Sequence, residues 1–316
     1  MTLAASLSVV IPVKNDLIYL PKAIESIRRQ NIDGTEIIVV DDQSTDGLDR
    51  WLADESRRHG DLKCLTGKGQ GAGAARNLGL AEGAAPYVAF LDADDAWFDA
   101  AIADRLAVMR ESSEILMTFG NAEHYLPDGQ FLGTCFEYWP RFSRWLAGRS
   151  GLISLGKQAF RLLFVENVCG TDTVIIRRDV LERIGGFDPT LRIGEDWDLW
   201  LKVCRMGEVR CTTRPVSRRL RRTDSTSRNL PVLIECLKRV TAAHEHFADP
   251  RARAIAQARI ETAKADLAEL SGRPGEALLH RVRNLLLDPA KRSAWDTLAT
   301  LYRLVARKAL QPTRPP

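Results

Sequence analysis

The most constraining feature of this chain is a series of short apolar runs, each of which ends in a polar or acidic cluster. Short β-branched runs without polar alternation are typical of strands that are buried on both faces. Strands that alternate with helices predict an α/β fold, in which helices cover both faces of a mostly parallel sheet. The strand-like runs lie at residues 6–13, 36–40, 61–66 and 87–91, and helical apolar spacing occurs at residues 17–30, 48–59 and 74–81.

The pattern changes after these elements. Residues 100–165 are expected to be helical and irregular, with several aromatic side chains. From about residue 230, Gly becomes sparse and the apolar spacing is helical to the end, with one interruption at residues 272–275. We therefore predict an α/β domain at residues 1–230 and an all-helical C-terminal extension at residues 231–316.

Charge and cysteine usage bear on location and partners. No apolar run reaches the roughly eighteen residues of a membrane-spanning helix. The six scattered cysteines form no C-x-x-C pair, which favours a reducing cytoplasm. Residues 231–316 carry 15 Lys and Arg against 9 Asp and Glu, a net charge of +6. This tail is expected to be a solvated helical face, a helical cap or a subunit contact; its net charge also suits a peripheral contact with the anionic inner face of a membrane.

The densest acidic cluster, Asp92-Ala93-Asp94-Asp95, directly follows the fourth apolar run. Three carboxylates this close repel one another unless a cation or water screens them, and Mg²⁺ and Mn²⁺ favour such oxygen-rich sites. The carboxyl ends of strands are also where open α/β sheets bind ligands. The cluster therefore indicates a metal site at Asp92, Asp94 and Asp95; a solvated turn or a helix cap is the alternative.

Two further loops follow predicted strands. Asp41 begins an acidic loop after the second strand, where a carboxylate can recognise a nucleobase or ribose, or simply form a turn. Residues 69–74 match the G-x-G-x-x-A dinucleotide fingerprint, but they follow the third strand and not the first. This position favours a flexible backbone segment that leads to Arg76, whose positive charge could bind a diphosphate. The alternative is an ordinary start of a helix, with Arg76 as a surface charge.

A third acidic site lies at residues 194–198, where Glu195 and Asp196 begin a predicted helix after Gly194. Such carboxylates are stabilised by the helix dipole and can be caps. Beside the apolar stripe that includes Trp197, one of them can instead be a base with a perturbed pKa. The arginine-rich residues 217–229 contain no aromatic side chains, so they favour anion binding or a solvated loop over nucleic acid.

Together and in this order, these motifs resemble the inverting family 2 glycosyltransferases. The matching segments, which cover roughly residues 6–228, are SVVIPVKND, EIIVVDDQSTDG, GQGAGAARNLGLA, YVAFLDADDAW and IGGFDPTLRIGEDWDLWLKV. The resemblance implies the GT-A (Rossmann-like) fold, a mostly parallel sheet flanked by helices. It also implies transfer of a single sugar, with inversion, from a nucleotide-diphospho-sugar such as a UDP-sugar. The acceptor would be a glycan or a lipid-linked molecule in surface polysaccharide or glycoconjugate synthesis.

The resemblance also implies roles for individual residues in the donor site. Pro12 and Val13 would contact the nucleotide through their backbone, and Asp41 would accept the N–H of the base. Arg76 would approach the diphosphate. Asp92 would contact the ribose and help to hold a divalent metal, Mn²⁺ or Mg²⁺.

The same resemblance makes Asp94 the main metal ligand, with Asp95 nearby. Asp196 matches the catalytic base that takes the proton of the acceptor hydroxyl. Glu195 and Trp197 would orient the acceptor.

This chain departs from the family pattern near the arginine-rich segment, where many members have a His and this chain has Arg222. A guanidinium has no lone pair for a metal, so Arg222 would instead pair with the phosphates. Two other functions stay open on the sequence alone. One is a sugar-1-phosphate nucleotidyltransferase on a similar fold, and the other is a nucleotide-sugar- or glycan-binding protein without catalysis.

Overall fold

The chain divides into two compact units, Met1–Thr223 and Asp224–Pro316, in the computed structural model, which describes residues 5–222 and 229–309. The first unit is an α/β structure and the second is helical. These observations confirm the predicted fold class, a GT-A-like sheet flanked by helices with a C-terminal helical region.

Within residues 5–222, one ten-stranded sheet forms the centre of the first unit. Its order is β3-β2-β1-β4-β9-β6-β10-β5, with β7 beside β6 and β8 beside β10. The first four strands are parallel, and so is the β6–β10 pair, whereas β9 runs antiparallel to β4 and β6. The strands are β1 (Leu7–Val13), β2 (Thr35–Asp41), β3 (Leu62–Thr66), β4 (Tyr87–Phe90), β5 (Ala96–Trp97), β6 (Ile115–Tyr125), β7 (Phe131–Thr134), β8 (Leu152–Ser154), β9 (Ile175–Arg177) and β10 (Glu208–Leu220).

Helices connect these strands and cover the sheet. They are α1 (Leu20–Arg28), α2 (Leu48–Arg58), α3 (Ala72–Glu82), α4 (Ala103–Glu111), α5 (Cys135–Tyr138), α6 (Pro140–Leu146), α7 (Ala159–Val165), α8 (Arg178–Ile184) and α9 (Glu195–Cys204). Helix α3 lies unusually close to the sheet because Gly79 has no side chain. A Cβ atom at Gly79 would lie 2.4 Å from Cγ1 of Val10 in β1.

The prediction that residues 100–165 are helical and irregular was wrong for part of this segment. It contains the long strand β6 as well as β7 and β8. Strand β6 is buried along most of its length, so its sequence shows no alternation of apolar and polar residues. Its parallel partner β10 comes from residues 208–220, and the local sequence around β6 carries no sign of that pairing.

The second unit contains α10 (Leu230–His244), α11 (Pro250–Leu270), α12 (Pro274–Leu287) and α13 (Lys291–Ala309). The expected interruption at residues 272–275 overlaps the turn between α11 and α12, which covers residues 271–273. None of the helices in the described part of the chain is both long enough and apolar enough to cross a bilayer.

Candidate active site

The loops that follow β1 and β2 are tied to each other at the carboxyl edge of the sheet. The backbone N–H of Asn15 donates to Ser44 Oγ at 2.9 Å, and the N–H of Thr45 donates to Asn15 Oδ1 at 2.7 Å. The N–H of Leu17 donates to Asp46 Oδ2 at 2.9 Å. Asn15 adopts φ 57°, the left-handed region that Asn tolerates better than most residues. These hydrogen bonds hold the two loops together at the carboxyl edge of the sheet.

Asp41 and Asp42 follow β2 but have different surroundings. Asp41 is half-buried, and its Oδ1 accepts the backbone N–H of Ser44 at 2.8 Å. Asp42 is buried and accepts the backbone N–H groups of Gly69 and Gly71 at 2.7 and 2.8 Å. Asp42 therefore holds the glycine-rich segment, and Asp41 is the more accessible of the two carboxylates.

Pro12 and Val13 form the end of β1 beside this loop. Pro12 is half-buried, whereas Val13 is buried, and the carbonyl oxygen of Val13 accepts the N–H of Asp42 at 2.8 Å. The structure thus places the expected nucleotide-contacting backbone and Asp41 on neighbouring parallel strands.

Arg76, in α3, is buried and bridges two acidic segments. Its Nη2 donates to Asp92 Oδ1 at 2.6 Å, and its Nη1 donates to Glu195 Oε1 at 2.7 Å. The guanidinium also lies 5.5 Å from the centre of the Phe187 ring. Burial lowers the pKa of Arg76, but the charges of Asp92 and Glu195 outweigh that effect and raise it above its usual range. In this arrangement Arg76 joins two parts of the site. Because Asp92 and Glu195 already engage its guanidinium, a diphosphate would not contact Arg76 directly.

Helix α3 also fixes the loop that leads to α9. Asn77 accepts the N–H of Phe187 and donates to its carbonyl oxygen, both at 2.8 Å. A Cβ atom at Gly73 would lie 3.1 Å from Cγ of Glu195. The glycine-rich start of α3 therefore allows the close approach of α9 that brings Glu195 to Arg76.

The three carboxylates after β4 lie in different surroundings. The Asp92 side chain is 36% exposed and the Asp94 side chain is 25% exposed. Asp95 is buried; its Oδ1 accepts the N–H of Leu220 at 3.0 Å, and its Oδ2 lies 3.7 Å from Arg219 Nε. Asp95 thus connects this turn to β10, whereas Asp92 and Asp94 are the members that a ligand can reach.

Charge is concentrated around Asp94. Burial, followed by the negative charges of Asp92 and Asp16, raises the pKa of Asp94 to about 6, although Arg222 acts in the opposite direction. Arg222 Nη1 lies 3.5 Å from Asp94 Oδ2 and donates to Asp16 Oδ1. Its guanidinium also lies 5.1 Å from the centre of the Tyr19 ring. The structure therefore brings Arg222 to the same acidic cluster as Asp94.

Glu195 and Asp196 occupy the first turn of α9. Burial is the largest cause of the raised pKa of Glu195, about 7; Arg76 opposes this rise and Asp196 adds to it. Asp196 is half-buried; its Oδ2 accepts the hydroxyl of Thr171 at 3.0 Å, and its Oδ1 accepts the N–H of Trp197 at 2.6 Å. Burial also raises the pKa of Asp196, against the effect of Arg76. Of the two carboxylates, Asp196 is the more accessible and Glu195 is engaged by Arg76.

Trp197 does not fit the expectation that it contacts the acceptor. Its side chain is 1% exposed, and its indole N–H donates to the carbonyl oxygen of Leu163 at 2.7 Å. It also packs near the Phe164 ring. Trp197 therefore joins the first turn of α9 to α7 inside the protein.

Sequence reasoning missed a buried polar cluster behind the acidic turn. Asp172 is fully buried and accepts hydrogen bonds from Ser217 and Arg219 of β10. Its carbonyl oxygen accepts the indole N–H of Trp97 at 2.7 Å. No local pattern marks Asp172, and the arginine-rich segment suggested anion binding or a solvated loop and not buried carboxylate partners. Arg219 finds them in Asp172 and Asp95.

The family model described as Glycosyl transferase family 2 matches residues 8–185, more than half of the chain. The chain belongs to this family. This result confirms the resemblance that the sequence motifs showed, and it places β1, Asp41, Arg76 and the acidic turn within the matched region.

Curated relatives are similar over only part of their length. An uncharacterized glycosyltransferase of Rickettsia felis is 36% identical over 108 residues, which are 34% of this chain and 18% of the relative. An uncharacterized glycosyltransferase of Nostoc sp. is 28% identical over 199 residues, 63% of this chain and 57% of the relative. The matched part of the chain therefore spans less than two thirds of the length of these relatives.

Solved structures share the fold at low sequence identity. Residues 1–349 of TarS from S. aureus match with a TM-score of 0.62 and 16% identity, and the match covers 98% of this chain and 93% of that one. TarS is also known in complex with UDP-GlcNAc. The mannosyltransferase PcManGT from Pyrobaculum calidifontis, in complex with GDP-Man and Mn²⁺, matches with a TM-score of 0.57 and 20% identity, over 97% and 87% of the two chains.

The acidic turn of this family 2 protein supplies two carboxylates, which is fewer than a metal ion needs from all of its ligands. Across residues 5–222 and 229–309, no three His, Cys, Asp or Glu side chains form a group that could hold a metal ion by themselves. Mg²⁺ is commonly held by one or two carboxylates, and water and substrate phosphates supply the remaining ligands. Asp92 and Asp94 supply two such carboxylates. A cation beside them would relieve the repulsion that helps to raise the pKa of Asp94.

Proposed function

We propose that this chain transfers one sugar from a nucleotide-diphospho-sugar donor to an acceptor hydroxyl, with inversion at the anomeric carbon and with a divalent cation. The observation that carries the proposal is the Arg76 bridge. It ties Asp92, in the turn proposed for the donor, to Glu195, in the helix proposed for the acceptor. Segments that are far apart in sequence are thereby held together at one edge of the sheet.

The donor nucleotide is proposed to lie against the ends of β1 and β2. Asp41 would accept the N–H of the base, and the backbone of Pro12 and Val13 would contact the nucleotide. The cross-tied loops after these strands support this assignment because they present a fixed edge for a ligand. The ligands of the TarS and PcManGT structures, UDP-GlcNAc and GDP-Man, support a nucleotide-sugar donor and favour UDP or GDP.

The diphosphate is proposed to lie at Asp92, Asp94 and Arg222. Asp92 and Asp94 would hold a Mn²⁺ or Mg²⁺ ion, as the Mn²⁺ in PcManGT suggests. When bound, such an ion neutralises charge on the phosphates. Arg222 would pair with phosphate oxygens. Arg76 would not contact the phosphates and would instead orient Asp92. We assign Asp95, which is engaged by β10, to supporting the turn and not to direct coordination.

Asp196 is proposed as the general base. It would take the proton of the acceptor hydroxyl while that oxygen attacks the anomeric carbon and the nucleoside diphosphate leaves. The hydroxyl of Thr171 and the N–H of Trp197 hold its carboxylate in place, and its raised pKa makes it a stronger base than an ordinary Asp. A single base on the acceptor side suits one displacement step, which inverts the anomeric centre. Glu195, held by Arg76, would orient this turn.

The biological setting is proposed from the family resemblance. The chain would act in the cytoplasm, in the synthesis of a surface polysaccharide or another glycoconjugate. Its acceptor would be a glycan or a lipid-linked molecule.

Donor cleavage in water tests this function without knowledge of the acceptor. The full chain should bind a UDP- or GDP-sugar in a Mn²⁺-dependent manner, and a ligand at a hundred times its Kd should stabilise it by ~2.7 kcal/mol in thermal unfolding. With an α-linked donor, early ¹H NMR spectra should show the released sugar in the β form. An α product would exclude inversion, and an absence of binding to every UDP- and GDP-sugar would exclude these two groups of donors.

A further inference from the structure

Helices α12 and α13 have an unusual distribution of polar and apolar residues. Their exposed faces carry apolar side chains at i, i+3 and i+7, the spacing of one helix face. On α12 these are Leu279, Val282 and Leu286, and on α13 they are Trp295, Leu298 and Tyr302. Leu286, Trp295 and Tyr302 are each more than 70% exposed, at 79%, 71% and 74%.

The inward faces of the same helices combine apolar side chains, such as the fully buried Ala277, with polar contacts to α11. Arg281 is buried and its Nη2 lies 2.5 Å from Asp266 Oδ1. Asn284 donates to the carbonyl oxygen of Ala258 at 2.7 Å, and Thr300 donates to Glu269 Oε1 at 2.7 Å. These contacts hold α12 and α13 to α11 and leave the apolar side chains outside. A helix normally buries its large apolar side chains, so the exposure of these two stripes indicates that a further apolar phase covers them.

The net charge of α12 and α13 and their exposed aromatic residues indicate which apolar phase covers the two stripes. Residues 274–309 contain 7 Lys and Arg against 3 Asp and Glu, a net charge of +4. The side chains of Arg283 and Arg303 are more than half exposed; Arg283 lies 4.0 Å from Glu261 and Arg303 lies 3.1 Å from Glu269, so both can exchange these partners for lipid phosphates. Trp and Tyr are the aromatic residues that favour the boundary between lipid headgroups and acyl chains. A second copy of this surface would bring two net positive charges together, whereas an anionic bilayer would attract it.

We propose that the exposed faces of α12 and α13 bind the surface of a bilayer that contains anionic lipids. The two apolar stripes, Leu279-Val282-Leu286 and Trp295-Leu298-Tyr302, insert among the headgroups. The flanking arginines pair with lipid phosphates. Such a surface combines apolar burial with electrostatic attraction, as amphipathic helices that lie in the membrane interface do.

Co-sedimentation of the full chain with vesicles tests this proposal. The chain should pellet with phosphatidylcholine–phosphatidylglycerol vesicles and much less with phosphatidylcholine alone. Leu286→Ser combined with Trp295→Ser should reduce the partition coefficient by ~10-fold or more, because each side chain loses apolar burial. The matched control is Leu270→Ser in the same unit: Leu270 is 81% exposed but lies on neither stripe, so this variant should bind as the wild type does.

A second readout locates the contact on α13. Brominated lipids should quench part of the tryptophan fluorescence of the wild type, and Trp295→Phe should lose that quenching while it still sediments with the vesicles. None of these variants should change donor cleavage in the absence of vesicles, so loss of lipid binding is distinguishable from loss of the proposed enzyme activity. Three results would overturn the proposal: no sedimentation with anionic vesicles, an equal loss of binding in Leu270→Ser, or a wild-type dimer that the stripe variant dissociates.

Discussion

Replacement of Arg76 by Met should destabilise the first unit because it leaves two carboxylates without their cation. The Arg76 side chain is 4% exposed, and its partners Asp92 and Glu195 lie 2.6 and 2.7 Å away. Removal of one partner from a buried ion pair costs ~3–5 kcal/mol. The Asp92 side chain is 36% exposed, so water restores part of that interaction, and we expect the lower end of the range, ~3 kcal/mol. In a unit of this size, that loss lowers Tm by ~6–12 °C.

Thermal unfolding of the ligand-free chain, followed by circular dichroism, measures this change. The control is Arg57→Met, because Arg57 pairs with Asp54 at the surface; it should change stability by no more than ~0.5 kcal/mol. A second substitution, Glu195→Gln, in the Arg76→Met background should restore part of the loss, since Gln leaves no unpaired charge at that position. An Arg76→Met protein that unfolds like the Arg57→Met protein would refute the bridge.

Three further predictions concern the metal, the phosphates and the packing of α3. Mn²⁺-dependent binding of a UDP-sugar, measured by calorimetry, should weaken as the pH falls through about 6, since Asp94 then takes up a proton and a protonated carboxyl is a poor ligand; an affinity that stays constant through this range would contradict it. Arg222→Ala should weaken the binding of UDP in the presence of Mn²⁺ in calorimetry, because it removes a positive charge that lies 3.5 Å from Asp94, beside the proposed position of the phosphates; an unchanged affinity for UDP would exclude the phosphate role. Gly79→Ala should lower the free energy of unfolding by ~1–3 kcal/mol in urea denaturation, because its Cβ would meet Val10. The control Gly60→Ala should leave this free energy nearly unchanged, because a Cβ atom at Gly60 would meet open space, and an equal loss in both variants would contradict this packing.

The N-terminal half of the fold could be predicted because its signals are local. Strands β1, β2 and β4 are apolar runs whose ends carry polar residues, and the run at Val9-Val10-Ile11 needs no distant partner to be recognised. Strands β6 and β10 are different. Their pairing joins residues about ninety positions apart, and β10 carries charged residues such as Arg218 and Arg219 that make it resemble a solvated segment.

The site also contains features that local sequence located and contacts that depend on distant segments. Local sequence located the acidic turn and the start of α9, because acidic residues next to strand and helix ends form a readable pattern. It could not distinguish Asp94 from Asp95, since their different surroundings depend on β10. It also could not show that Arg76 joins Asp92 to Glu195, because that contact depends on how closely α3 and α9 pack.

The turnover of Asp196→Asn tests the proposed mechanism most directly. Asn keeps the shape of the side chain and can cap the helix, but it takes no proton at neutral pH. We therefore expect kcat to fall by ~10²–10⁴-fold while the Kd of the donor stays nearly unchanged. Asp179→Asn is the matched control, because Asp179 lies in the first turn of α8 and is exposed; it should turn over like the wild type. Wild-type turnover by Asp196→Asn, or a loss that merely follows weaker donor binding, would contradict the assignment of Asp196 as the base.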